Sequence, residues 1–134
     1  MLTNADITIY NHKLNKDTHL DDWHKTVIRG VRFYVDNKVT ITDSGLKSAY
    51  IYKIRIPENA GCDKKYVPGD EYQAIENVNG HWTIQNDDIV MYGTSLTEID
   101  RPAELKESGK RYCKITSWSD NRYGGLQHWK IVGE

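Results

Sequence analysis

Apolar and polar residues alternate with a period of two along much of this chain, which is the pattern of half-buried β-strands. The clearest strand places four apolar side chains on one face and two cations on the other, at Tyr50, Tyr52, Ile54 and Ile56 against Lys53 and Arg55. Pro57 ends this strand because proline cannot donate to a sheet hydrogen bond. The alternation therefore predicts a sheet with one buried face.

Similar patterns predict further strands at residues 7–10, 23–35, 39–42, 72–75, 82–84, 87–93, 112–118 and 128–132. Polar segments between them predict a loop or hairpin tip at 11–22 and turns at 36–38 and 43–45. Gly30 interrupts the long 23–35 segment, where we expect a β-bulge or a sharp bend. Residues 112–132 read as a closing hairpin whose turn contains Asp120-Asn121 and Gly124-Gly125.

Two segments depart from this strand pattern. Residues 58–87 contain scattered glycine, proline and mixed charges, and predict a long excursion that either has a task or is mobile. Residues 100–109 predict one short helix, with Asp100 as its cap, Pro102 in its first turn and Gly109 at its end. The expected fold is therefore mainly β, a small β-barrel or sandwich with a long loop and one short helix, as a single domain over residues 1–134.

Composition limits the partners of such a domain. The 134 residues carry 18 Lys and Arg against 19 Asp and Glu, and this net charge of -1 gives no general attraction to nucleic acid or membranes. The longest apolar runs cover only a few residues, and the first residues lack the basic and apolar regions of a secretion signal, so we expect neither a membrane span nor secretion. Two cysteines, Cys62 and Cys113, favour a reducing compartment over a disulfide framework, with a single bridge between them as the alternative.

The candidate catalytic and metal-binding residues are sparse. His12, His19 and His24 are interpreted as solvated loop residues, and His128 as a cross-strand packing partner. Cys113 is interpreted as a small core residue. The adjacent Asp87 and Asp88 would point to opposite faces of a strand, so they cannot act as paired carboxylates. Since no phosphate-binding, dinucleotide-binding or nucleophile-elbow motif occurs, we expect a protein without enzyme activity, cofactor or metal.

Cations interleaved with aromatic residues form one further pattern, at Arg29, Arg32 and Tyr34, at Lys53 and Arg55, and at Arg122 and Tyr123. On a barrel, such a surface could stack single-stranded bases, or it could form the polar rim of a protein contact. The net charge and the nearby acidic residues favour the protein contact. Trp118 and Trp129 in the closing hairpin are candidate core residues, and alanine substitution of a core indole would destabilise the fold by about 3 kcal/mol or more.

Several short segments resemble proteins of known type. Residues 4–11 and 23–31 resemble the opening of tailed-bacteriophage head-tail connectors of the head-closure, or stopper, type. Residues 88–93 resemble the GDxVxxG strand of that family, although Asp87 stands where the family has glycine, and residues 115–131 resemble its final hairpin. The whole chain also resembles a family of small uncharacterised prophage proteins of Gram-positive bacteria, in which residues 99–105 and 117–122 stand out.

The resemblance implies a virion protein made in the host cytoplasm and assembled as a homo-oligomeric ring between the portal or adaptor and the tail. DNA would meet such a ring only by passing through its channel, and residues 58–87 or 11–22 are the candidates for a loop that plugs it. The expected contact surface is Arg29, Arg32, Tyr34, Asp100, Arg101, Trp118, Asp120, Asn121, Arg122 and Tyr123. The alternatives are a minor tail or tail-terminator component, or a β-barrel module that binds nucleic acid or a ligand.

Overall fold

A computed structural model describes residues 3–43, 45–94 and 111–134 of the chain. The described residues form the strands β1 (Ala5–Leu14), β2 (Asp21–Thr42), β3 (Gly45–Pro57), β4 (Lys65–Tyr66), β5 (His81–Trp82), β6 (Ile89–Tyr92), β7 (Tyr112–Asn121) and β8 (His128–Gly133). A helix, α1 (Gly69–Ala74), lies between β4 and β5. The helix expected at residues 100–109 lies outside the described residues.

Six of the strands form a closed antiparallel barrel in the order β1-β2-β3-β8-β7-β6, with β6 pairing back to β1. A barrel suits this pattern because closing the sheet removes most of the edges at which backbone groups would stay unpaired. The closing hairpin is confirmed, since β7 and β8 pair from Ile115 to Asn121 and fill the gap between β3 and β6. The expectation of a mainly β barrel with a short helix is therefore confirmed.

Gly30 sets which residues of β2 face the core. It has φ +80 and lies at a register shift, where Val31 pairs with Ala5 and Arg29 pairs with Asp6. The extra residue moves the alternation by one position, so both Ile28 and Val31 are fully buried. The predicted bulge is confirmed, and the backbone N–H of Gly30 donates to the Asp6 carboxylate at 3.0 Å.

Residues 58–88 form a cap over one end of the barrel. Trp82 and Ile84 pack into the main core, while Val67, Tyr72 and Val78 form a small core of their own. The strand expected at 72–75 is wrong, because Tyr72 lies in α1 and is buried on its inner side. A parallel pairing between β4 and β5 holds the two sides of the cap together.

Two of the predicted turns and loops are corrected by the strand pairing. Residues 36–38 continue β2 as a strand, because their backbone pairs with residues 49–51 of β3. The hairpin tip expected at 11–22 is present but shorter, because β1 and β2 pair as far as Leu14 and Asp21. Of the turn expected at 43–45, Asp43 lies in a turn and Gly45 begins β3. No helix in the described part of the chain is long and apolar enough to cross a membrane.

Candidate functional site

The β2–β3 hairpin extends past the end of the barrel opposite the cap. In the described chain, β8 pairs with β3 only from Tyr52 to Pro57, and β1 pairs with β2 only up to Val31. Residues 36–41 of β2 and 46–51 of β3 pair with each other. We call residues 36–43 and 45–51 the arm.

One face of the arm continues the inner face of the barrel. Phe33 and Val35 face the core, so the period of two places Val39 and Ile41 on the same face of β2, and Tyr50 lies on that face of β3. Past the barrel these side chains lose their cover, and Val39, Ile41 and Tyr50 are 59%, 83% and 63% exposed. Single exposed apolar residues are ordinary, but several on one face of a projecting hairpin mark a contact surface.

The closing hairpin is fastened to the cap by Arg122. Its Nε and Nη2 atoms donate to the two carboxylate oxygens of Asp120 at 2.8 and 2.7 Å. The guanidinium also lies over the rings of Tyr66 and Trp129, 5.1 and 5.0 Å from their centroids. The hydrogen bonds from Arg122 lower the pKa of Asp120, because they stabilise its charged form. These contacts hold the turn, in which Tyr123 is exposed, against the capped end.

The predicted contact residues fall into separate groups. Arg29 and Arg32 are exposed on β2, where the Arg32 guanidinium lies 5.5 Å from the ring centroid of Tyr34. Trp118 and Asn121 are exposed on β7. The remaining described members, Asp120, Arg122 and Tyr123, belong to the fastened turn. Asp100 and Arg101 lie outside the described residues.

A buried carboxylate fastens the other side of the cap. Asp88 is fully buried and accepts hydrogen bonds from the Asn11 side chain at 2.7 Å and the His12 backbone N–H at 2.9 Å. Gln85 Nε2 donates to it at 3.1 Å, and Nδ1 of His12 also bonds to it. The hydrogen bond to Asp88 raises the pKa of His12, although burial of the ring opposes the change.

Gln73 extends this network to the helix of the cap. Its Nε2 donates to the backbone oxygen of His12 at 2.8 Å and to Oε1 of Gln85 at 2.7 Å. Lys13 Nζ in turn donates to the backbone oxygen of Gln73 at 2.8 Å. These hydrogen bonds therefore hold α1 and the start of β6 against β1. The role of the network is structural.

The histidines occupy different environments in the fold. The interpretation of His12 and His24 as solvated loop residues is wrong. His12 lies in β1 and His24 lies in β2, in the part where these two strands pair. His19 does lie in an exposed turn. His128 contacts Asn121 across the closing hairpin, with 3.3 Å between its Nε2 and the amide nitrogen, as expected of a cross-strand partner.

Cys113 lies as the sequence predicts, but Asp87 and Asp88 precede β6, which begins at Ile89, so they lie outside the strand in which they were expected, and Asp88 is buried instead of a rim charge. Cys113 is a core residue, and burial raises the pKa of its thiol to about 12. Asp87 and Asp88 diverge, since the first is exposed and the second is buried. The two carboxylates therefore do not face a common site.

The arm and the Asp88 network were missed by reasoning from the sequence. The alternation of Val39 with Ile41 was visible, but the polar residues 36–38 were interpreted as a turn and separated these positions from β2. Nothing local marks His12 and Asp88 as partners, because 76 residues separate them. Among the described residues, no group of three or more His, Cys, Asp or Glu side chains is placed to hold a metal ion.

Comparison with known proteins finds a match to a family model. The model of a family of unknown function, DUF6751, matches residues 2–134. No curated protein and no solved structure matches the chain significantly.

Proposed function

We propose that this chain, which belongs to the DUF6751 family, is a structural subunit of a ring at the head-tail junction of a tailed phage or prophage. In this role it completes the filled head and provides the platform on which the tail docks. Its work is binding and assembly, without covalent chemistry. The proposal rests on the resemblance of its strands to those of stopper proteins, and on the surface that the fold presents.

The arm is the observation that carries the proposal. It holds Val39, Ile41 and Tyr50 out in solvent, on a hairpin that receives no cover from the described part of the barrel. An exposed two-stranded hairpin is a template for pairing with another chain, and folded proteins usually avoid one unless it is used. A subunit that becomes buried among neighbours in a ring gives these side chains a partner.

The pattern GDxVxxG, which underlies the resemblance, has a physical reason in this fold. Its two glycine positions are Asp87 and Gly93, and both adopt left-handed backbone conformations, with φ values of 73 and 88. Its aspartate is Asp88, the buried acceptor of the cap network, and its valine is Val90 in the core. The residue types of the pattern are therefore those that this strand and its flanking turns require, which supports the resemblance.

The arm also replaces the loops 58–87 and 11–22 as the candidate for a segment that reaches into the channel. Residues 58–87 are packed as the cap, with Trp82 and Ile84 in the core. Residues 11–14 and 21–22 are paired within the barrel. Within the proposal, the arm is the part of the subunit that reaches a neighbouring protein.

A complementation experiment tests this role. The gene is deleted from its phage or prophage, and variants are supplied in trans during induction. Ile41→Asp places a charge on the exposed arm, where it leaves the core intact but prevents burial against a partner. We expect this variant to leave the titre of infectious particles at the level of the deletion.

Leu126→Asp is the matched control, because Leu126 is 56% exposed and lies in the β7–β8 turn at the capped end. It should restore the titre. Full restoration by Ile41→Asp, with the variant protein folded, would remove the arm from this role and leave the proposal without its main support.

A further inference from the structure

Three cations stand side by side on the outer face of the barrel. Arg32 on β2 is the cross-strand partner of Arg55 on β3, and Arg55 is the partner of Lys130 on β8. Like charges directly opposite one another destabilise a sheet. None of the ion pairs formed by the described residues includes any of the three. We call Arg32, Arg55 and Lys130 the basic row.

The basic row has hydrogen-bonding capacity that the chain leaves unused. The Nε atom of Arg55 is buried and has no hydrogen-bond partner among the described residues. A guanidinium donor in that position loses its water without gaining an acceptor, and such a loss is costly. Because this atom is buried, a carboxylate from outside would act on the row through its exposed member, Arg32, where it would offset the repulsion between the like charges.

A groove of about 330 Å³ lies on another part of the outer surface, lined by His12, Asp21, Trp23, Asp87, Ile89 and Lys114. Asp21 is exposed and forms no ion pair with a described residue, whereas Asp87 faces Lys114 at 3.5 Å. The ring of Trp23 is half-buried, 5.8 Å from that of His12. A carboxylate beside an aromatic face is the environment that a guanidinium prefers, because it can pair and stack at once.

The order of strands separates the groove from the basic row. Going around β1-β2-β3-β8-β7-β6, β6 lies across the barrel from β3, and β1 lies across from β8. The groove is built mainly on β1, β6 and the start of β2, and the row is centred on β3. The two surfaces therefore face away from each other, and one subunit cannot bring its own row to its own groove.

We propose that the basic row of one copy of this chain binds the groove of the next copy, with a guanidinium of the row paired to Asp21 and stacked on Trp23. A contact between two different surfaces of identical chains is heterologous, and it closes into a ring when the rotation between copies is suitable. The contact rests on the proposed ring assembly and names its subunit interface. It also predicts that salt weakens the ring, because Arg32 and Asp21 are exposed before contact.

Sedimentation equilibrium of the purified full-length chain tests the contact. The measurement compares about 10 mM with about 1 M salt, across which the Debye length falls from ~30 Å to ~3 Å. We expect the average mass to rise with protein concentration at low salt and to return to that of the monomer at high salt. Arg55→Glu and Asp21→Lys should each abolish the rise.

An equimolar mixture of these two variants provides the sharpest result. The Asp21→Lys variant has a native row, which can bind the native groove of the Arg55→Glu variant. The Arg55→Glu variant has a row with an added negative charge, which can bind the groove of the Asp21→Lys variant, where a positive charge has been added. Association should therefore return in the mixture. Lys65→Glu reverses a charge at an exposed site of the cap and should behave as the unsubstituted chain. Lys130→Glu repeats the test on the row in case Arg55→Glu fails to fold.

Several results would overturn the contact. These are a monomer at every concentration in low salt, association that survives both Arg55→Glu and Lys130→Glu, and a mixture that stays monomeric. Binding of single-stranded DNA through the row, without self-association, would assign the row to nucleic acid instead. These measurements use purified protein, so they test the contact separately from the phage role. If deletion of the gene abolishes infectious particles but the purified chain stays monomeric, the contact is wrong and the phage role stands. If the purified chain associates as expected but deletion of the gene leaves infectious particles, the contact stands and the phage role is wrong.

Discussion

The ring of His12 is hydrogen-bonded through Nδ1 to the carboxylate of Asp88, and this pair joins the end of the cap to β1. The carboxylate is fully buried, while the side chain of His12 is one-quarter exposed. Asp88 also accepts hydrogen bonds from Asn11 and Gln85. A charge so enclosed is tolerated because each of its donors is fixed by the fold, and this makes the pair a sensitive point for stability.

Stability should fall as the pH rises through the titration of His12. Its pKa is raised above the ordinary 6.5, so the folded chain binds the proton more tightly than the unfolded chain. The contribution is fully present below 6.5 and is lost as the pH rises through the folded pKa. Urea unfolding between about pH 6 and about pH 8.5 should show this decrease in the free energy of unfolding.

His12→Gln should remove that part of the pH dependence. His19→Asn is the control, because His19 lies in an exposed turn at φ 58, which asparagine tolerates. If the free energy of unfolding depends on pH equally in His12→Gln and in the parent protein, the titration belongs to another group.

Asp87→Gly should stabilise the protein by about 0.5 to 1 kcal/mol. The left-handed conformation is strained for a residue with a Cβ, and this strain is larger than the conformational entropy that glycine loses on folding. Asp87 has φ 73 and is exposed, and its ion pair with Lys114 is weak at the surface. Denaturant melts provide the measurement, and Asp87→Ala, which keeps the strain, should bring no gain. A glycine variant less stable than the parent would refute this interpretation of the turn.

Trp129 and Trp118 should respond differently to truncation. Trp129 is 4% exposed and packs against Trp82 and Tyr66, with ring centroids 5.3 and 4.8 Å away. Trp129→Ala should therefore cost about 3 to 5 kcal/mol in the free energy of unfolding. Trp118 is 38% exposed, and Trp118→Ala should cost less than about 1 kcal/mol. Equal losses in chemical denaturation would place both indoles in one environment, contrary to the structure.

Gly30→Ala should cost about 1 to 2 kcal/mol, because φ +80 is unfavourable for alanine. A Cβ at this position meets no atom within 4 Å, so the loss comes from the backbone conformation alone. Gly124→Ala, equally open but without a positive φ, serves as the control and should change stability by no more than about 0.5 kcal/mol. Thermal melts that show no difference between the two variants would argue against the bulge.

The local parts of this fold could be predicted from the sequence because their signals are local. The alternation from Tyr52 to Ile56 predicts the buried face of β3, and Gly30 marks the bulge of β2. The aromatic and β-branched residues near the end predict the β7–β8 hairpin. In each case neighbouring residues carry both the propensity and the periodicity that decide the structure.

The cap and the arm depend on contacts that the sequence does not display locally. Tyr72 reads as a strand residue, but burial against Val67 and Val78 favours a helical turn there. Residues 36–38 read as a turn, but pairing with the opposite strand of the arm keeps them extended. Asn11 and His12, which bond to Asp88, lie 77 and 76 residues away from it in the sequence. Tertiary packing therefore decided these regions over local propensity.

Electron microscopy of a lysate from an induced host that lacks the gene tests the central claim most directly. If the chain completes the head at the head-tail junction, the lysate should contain free tails beside tailless heads that have lost their DNA. Intact, infectious particles from the deletion would contradict a role in head completion.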